Sequence, residues 1–168
     1  VEGFDAAYKI ATLASITFQK RIKIENVYRE GITKIRSQDM HAANDLGYKI
    51  KLIASAYMDE NGKADVRVHP MLVSKCSTLA HIDYVTNAVS FSGHPVGSIT
   101  LSGPGAGEFP TASSVVGDIL AIAAEIGKSD YILPMMRCKH SGNAEMLNIN
   151  ETINKYYISI NAKNNKGV

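Results

Sequence analysis

The stretch from Phe4 to Phe18 constrains this chain more than any other. Asp5 and Lys9 stand four residues apart, and behind them Ile10-Ala11-Thr12-Leu13-Ala14-Ser15-Ile16-Thr17-Phe18 carries no charge. On a helix the i,i+4 spacing puts the carboxylate and the ammonium on one face, roughly 5–6 Å apart at Cβ. A helix that is apolar nearly all round is a buried one. The spacing predicts a helix from about Phe4 to about Phe18, sunk into the protein, with an ion pair at its entrance where solvation is not the default. Two readings of the pair stand side by side. It is an ordinary contact worth about 0.2–0.5 kcal/mol to a helix start, or it is a pair of charges kept for chemistry.

Burying such a helix takes a core, and 168 residues are enough for one domain with its own interior. A hydrophobic share of 45% with 20% charged residues excludes a disordered chain. A net charge of +2 argues against a nucleic-acid binder, which needs a basic face. The longest purely apolar run, Ile119 to Ala124, is far too short to span a membrane. No signal-peptide pattern opens the chain. Cys76 and Cys138 are too few and too isolated for a disulfide framework or a zinc site, so they read as reduced thiols of a cytoplasmic protein. No metal site is expected.

Along the chain, the basic cluster Lys20-Arg21-Ile22-Lys23 reads as a solvated loop. A short helix is expected from about Gln38 to Leu46, with Ser37 as N-cap, Asp39 in its first turn and Gly47 just past its end. His41 on that helix reads as a surface or packing residue rather than a ligand. Tyr48 to Tyr57 alternates, with Ile50, Leu52, Ala54 and Ala56 on one face, and predicts a strand with one buried side. Asn61-Gly62 turns it back into Asp65 to His69, with Val66 and Val68 inward and Pro70 ending regular pairing. Further strands are expected over about Asp83 to Phe91 and Val96 to Leu101, joined at Ser92-Gly93-His94-Pro95. Four strands on short links predict an α+β fold, a largely antiparallel or mixed sheet covered by helices.

Gly103-Pro104-Gly105-Ala106-Gly107 then opens a helix expected from about Ala112 to Ile126, capped by Thr111 and buried on most sides. Glycines before a helix let backbone approach a ligand, and a helix start favours anions. The same glycines equally suit a tight structural turn. They are neither the dinucleotide fingerprint G-x-G-x-x-G nor a P-loop. Residues 128–154 have weak periodicity and read as a linker, and Tyr156 to Ile160 alternates like an opening strand.

Glu2-Gly3-Phe4-Asp5-Ala6-Ala7-Tyr8-Lys9 resembles the E-G-x-D-A-x-x-K signature of homoserine dehydrogenases. The match continues in order through Glu30-Gly31-Ile32, Leu46-Gly47-Tyr48, Arg67-Val68-His69-Pro70, Asn87-Ala88-Val89 and Gly103 to Asp118. Residues 155–168 are similar to the first strand and turn of an ACT regulatory domain, although Asn165-Lys166 stands where an acidic residue and Pro are usual. The resemblance implies a catalytic and dimerisation domain over 1–127, a linker over 128–154 and a truncated ACT-like start over 155–168. It implies NAD(P)-dependent interconversion of L-aspartate 4-semialdehyde and L-homoserine by a cytoplasmic homodimer. Lys9 is then the proton donor, Asp5 binds substrate and orients Lys9, and Gly107 approaches the cofactor, NADP or NAD.

Hydride addition creates an alkoxide, which an ammonium can stabilise and protonate. A lysine with the usual pKa of about 10.4 is charged at neutral pH, which suits a donor. The family's nucleotide-binding domain and the residues that supply part of the substrate and metal sites precede the segment matching Val1. The chain is therefore expected to be a piece of a larger enzyme. Alone it should be inactive, with Val115, Val116, Ile119, Leu120 and Ile122 left partly exposed. A remnant that keeps the fold and subunit interface without turnover is the alternative. A free-standing regulatory module is disfavoured, since only one ACT-like strand is present.

Overall fold

Small side chains decide how the first helix packs. In the computed structural model, which describes residues 1–126, 142–160 and 162, helix α1 spans Phe4–Phe18. Its buried stripe is Ala7, Ala11 and Ala14 with Ser15, at the three- and four-residue spacing of one helix face. Alanines let the helix axis come close to the strand behind it. Phe4, Tyr8 and Ile16 lie on the open side. The helix is therefore half-buried rather than sunk on all sides, which corrects the reading of its apolar run. Its solvent side is built from Thr12, Thr17, aromatic rings and the charged pair, and none of these needs to leave water.

The residues fall into two compact units. One takes Val1–Leu72 and the described residues of Cys138–Val168; the other takes the described residues of Val73–Arg137. In the first unit, strands β1 (Tyr28–Arg29), β2 (Tyr48–Met58) and β3 (Ala64–Ser74) form a sheet in the order β1-β3-β2. β1 pairs with β3 in parallel, Tyr28 opposite Arg67 and Arg29 opposite Val68, and the Glu30 N–H continues the ladder to the Val68 carbonyl at 2.8 Å. β2 and β3 are joined by a five-residue link (59–63), which suits only antiparallel neighbours. Asp59 Oδ1 accepts from the N–H groups of Asn61 (3.0 Å) and Lys63 (2.7 Å), and Gly62 takes the left-handed φ of 79° that the turn requires.

Val66 and Val68 face the core as expected, with Val68 fully enclosed. Arg67, also buried, is neutralised by Asp65 two residues before it. β3 does not stop at Pro70. β1 covers β3 only at Arg67 and Val68, so the chain beyond has an open side on which a missing N–H breaks no ladder.

Helix α2 (Ser37–Asp45) packs on β2. Ser37 is its first residue rather than its cap. Arg36 precedes it, and the Asp39 carboxylate reaches back to accept the Arg36 N–H at 3.0 Å. Gly47 lies just past the end with φ 83°, as its position suggested. Within the stretch 128–154, residues 142–147 are built into this unit. Ala144 N–H bonds the Arg21 carbonyl (3.0 Å), Leu147 N–H bonds the Ala64 carbonyl (2.8 Å), and Ala144 joins the core. Tyr156–Ile160 forms no strand among the described residues, since a strand exists only where a neighbour completes its ladder.

The second unit holds strands β4 (Thr86–Gly93) and β5 (Gly97–Pro104), paired antiparallel from Thr86 opposite Pro104 to Gly93 opposite Gly97. Val89, Phe91, Ile99 and Leu101 fall on one face of this ribbon, Ser90, Ser92, Ser98 and Thr100 on the other. The single four-stranded sheet of the sequence reading is thus two sheets. Helix α3 spans Glu108–Glu125. It starts upstream of Thr111 because Pro110, in the first turn, needs no hydrogen bond there. The N-cap is Gly107, whose carbonyl accepts the Thr111 N–H at 3.1 Å. Val115, Val116, Ile119, Leu120 and Ile122 are between 53% and 64% exposed, as expected of these five side chains in this chain alone, although the helix is not buried on most sides as its apolar pattern suggested.

Candidate functional site

The first turn of α1 is held from three directions. Gly3 adopts φ 78°, a conformation that favours glycine, and a Cβ there would stand 3.0 Å from Val68 Cγ1 of β3. Its carbonyl accepts the Ala7 N–H at 2.9 Å and opens the helix. The Val1 carbonyl accepts the Ile32 N–H at 3.2 Å. At Gly31 a Cβ would meet the Val1 carbonyl oxygen at 2.9 Å and Glu2 Cα at 3.0 Å, so only a bare backbone lets the chain start pass over it. From β1, Arg29 donates from Nη1 to the Glu2 carbonyl (2.7 Å) and lays its guanidinium 3.5 Å from the centroid of the Phe4 ring.

On this frame Lys9 Nζ and Asp5 Oδ2 are 2.7 Å apart. The side chains are 56% and 83% exposed, so the pair is solvated, not enclosed as the helix reading implied. The buried stripe turns Ala7 inward and leaves the Asp5–Lys9 face outward. The arrangement is an ammonium with a carboxylate partner, open to a reactant from solvent. A cleft of about 510 Å³ lies beside the same turn, lined by Phe4, Ala7, Tyr8, Ile24, Glu25, Val27, Tyr28 and Arg29. Asp5 and Lys9 are not among its lining residues. Tyr28 donates to Glu30 Oε2 at 3.2 Å, and partial burial, then the Glu30 carboxylate, push its phenol pKa up.

Gly107 belongs to the second unit. Its φ of 131° and ψ of 155° form a backbone geometry favoured by glycine, immediately before α3. A Cβ there would meet Pro110 Cδ at 3.3 Å. Two residues earlier the Asn87 side-chain amide occupies the space a Gly105 Cβ would need, and the Gly105 N–H bonds the Val85 carbonyl at 3.0 Å. The three-residue link between β5 and α3 (105–107) is thus tied back by the Gly105 N–H, and all three of its residues are exposed. These residues fit a cofactor edge, with bare backbone at the positive end of an 18-residue helix, where anionic groups are favoured.

A third polar cluster escaped the sequence reading. The Arg36 guanidinium, then the Arg36 backbone N–H, hold the Asp39 carboxyl below the usual range, and Tyr157 donates to it at 3.4 Å. Arg36 also reaches Ser159 at 3.3 Å. Tyr157 and Ser159 lie more than 110 residues from Asp39 and Arg36, and no spacing rule announces those contacts. The contacts of Arg29 and Asn87 were hidden for the same reason. Cys76 is an exposed free thiol; Cys138 lies outside the described residues. No group of three or more metal-binding side chains occurs among the described residues, and no described helix is long and apolar enough to cross a membrane.

The homoserine dehydrogenase family model matches residues 1–120. The homoserine dehydrogenase of a Synechocystis species is 39% identical over 94% of this chain, which spans 38% of that relative. Among solved structures, the homoserine dehydrogenase from Thiobacillus denitrificans superposes with a TM-score of 0.75 at 35% identity, over 88% of this chain and 35% of that one. A hyperthermophilic archaeal homoserine dehydrogenase in complex with NADPH superposes with a TM-score of 0.59 at 25% identity, over 77% of this chain and 35% of that one.

Proposed function

The chain belongs to the homoserine dehydrogenase family, and from that premise we propose that it forms the substrate-binding and proton-donating part of an enzyme interconverting L-aspartate 4-semialdehyde and L-homoserine. The observation that carries the reading is the solvent-open Asp5–Lys9 pair at 2.7 Å, inside the family-matched segment. NAD(P)H, when bound, supplies a hydride to the aldehyde carbon. Negative charge then develops on the carbonyl oxygen. The Lys9 ammonium stabilises that charge and transfers a proton to it. Asp5 fixes the ammonium by its ion pair and offers its remaining oxygen to the substrate. Gly107 lets the cofactor approach α3 without a side chain between them. We place the nucleotide-binding part outside this chain, which carries no dinucleotide fingerprint and spans 38% of the Synechocystis relative's length.

The complete protein is a cytoplasmic homodimer that serves threonine, methionine and isoleucine synthesis. The half-open apolar face of the β4–β5 ribbon supports the dimer, because Val89, Phe91, Ile99 and Leu101 line one side of it.

The test is kinetic. In an enzyme that joins this chain to a nucleotide-binding domain, Lys9→Ala should lower turnover about 10²–10⁴-fold and leave the KM for cofactor nearly unchanged. Near-normal turnover would remove Lys9 from the mechanism. No turnover in any such assembly, with the fold intact, would favour a remnant that keeps only the fold and the interface.

A further inference from the structure

We propose that Arg29 is a positioning residue for the Asp5–Lys9 pair, a clasp that sets the first turn of α1; the inference rests on the proposed role of Lys9. Three contacts from one side chain carry it. The Arg29 stem crosses Gly3, its Cγ lying 3.5 Å from where a Gly3 Cβ would be. Its Nη1 donates to the Glu2 carbonyl at 2.7 Å. Its guanidinium ends over the Phe4 ring at 3.5 Å. One side chain thus spans three consecutive residues, and the next residue is Asp5.

Gly3 gives the helix no side-chain cap, so the direction of the first turn has to be imposed from outside. Arg29 is well placed to impose it, because its backbone is locked opposite Val68 in the β1–β3 ladder. Val68, fully buried, in turn blocks the space beside Gly3. The sheet therefore aims the helix start through one cation, and the helix start aims the ammonium. A planar guanidinium is needed for this. It stacks on a ring and keeps an N–H for a carbonyl, whereas a lysine ammonium makes a point contact.

The experiment has two arms. In the full chain, amide exchange is followed by NMR for wild type, Arg29→Lys and Phe4→Leu, with thermal unfolding alongside. Phe4 is exposed and Arg29 only partly buried, and the chain should fold with either substitution. Arg29→Lys should lose protection at Ala7 and its neighbours in the first turn while the melting temperature and the protection of β3 stay unchanged. Phe4→Leu, which removes the ring but keeps the carbonyl bond, should lose part of it. In the second arm, with a nucleotide-binding domain supplied, Arg29→Lys should lower kcat by about 10-fold or more with the cofactor KM unchanged, as misplacement of a reacting group does.

Unchanged exchange in the first turn would overturn the clasp. So would a fall in kcat matched by a general loss of stability, which marks a merely structural residue. Normal kcat in Arg29→Lys beside a crippled Lys9→Ala would sink the positioning role and leave Lys9 standing. Normal kcat in Lys9→Ala would remove the catalytic role of Lys9, and the positioning claim with it.

Discussion

Asp39 is the residue whose charge state most clearly matters to this structure. Its carboxyl accepts from the Arg36 guanidinium at 3.2 Å, from the Arg36 N–H at 3.0 Å and from the Tyr157 hydroxyl at 3.4 Å. All three favour the ionised form, so its pKa falls below the ordinary 3.8. A carboxyl depressed in the folded state contributes stability that is present above 3.8 and fades as pH falls through the depressed value. Asp39→Asn should therefore lower the melting temperature at pH 7, and the difference from wild type should shrink steadily below pH 3.8. Thermal unfolding across that range checks it; a difference that persists unchanged into strong acid would show that charge is not the cause. Residue identity in the sequence marked Asp39 only as a first-turn acid. Its partner Tyr157 lies 118 positions away, and only folding joins them.

At the scale of elements, α1 and the loop before α3 each contain one close contact. The Ser15 hydroxyl donates to the Ala11 carbonyl at 2.6 Å and accepts the N–H of buried Ile22 at 3.0 Å, closing the chain reversal after the helix. Ser15→Ala leaves that N–H without a partner and should cost about 1–3 kcal/mol in chemical unfolding. In the loop before α3, Asn87 fills the space of a Cβ at Gly105. Gly105→Ala would meet only the tip of the exposed Asn87 side chain, which can swing aside, so its cost in chemical unfolding should stay within about 0.5 kcal/mol; a loss above about 1 kcal/mol would show that Asn87 is fixed in that space. The elements themselves were readable. Alternation located β2 and its partner strand, and glycine spacing located the start of α3 within a few residues. β1 was not readable, because two residues carry no period and its parallel ladder needs β3 to exist.

For the whole molecule, the apolar side of α3 sets the behaviour in solution. Five aliphatic side chains more than half exposed on one helix form a patch that favours association. Light scattering should report species heavier than a single chain at high concentration, and Ile119→Lys with Ile122→Lys should reduce them; a clean monomer before substitution would refute this. The isolated chain, mixed with homoserine and NAD⁺ or NADP⁺, should produce no reduced cofactor, and production would reveal a cofactor site that no dinucleotide fingerprint announces. Local chemistry alone determined the helix of the Asp5–Lys9 pair, the turn at Asn61-Gly62, the inward valines of β3 and, through a long ordered series of motifs, the family. Those features depend on neighbours within a few residues, and a linear sequence displays them directly. Packing determined which helix faces are buried, the division into two sheets, the passage of β3 through Pro70 and the contacts that frame Gly3, Gly31 and Gly105. Each depends on groups brought together from distant positions, where the available space and hydrogen-bond partners exist only once the chain has closed on itself.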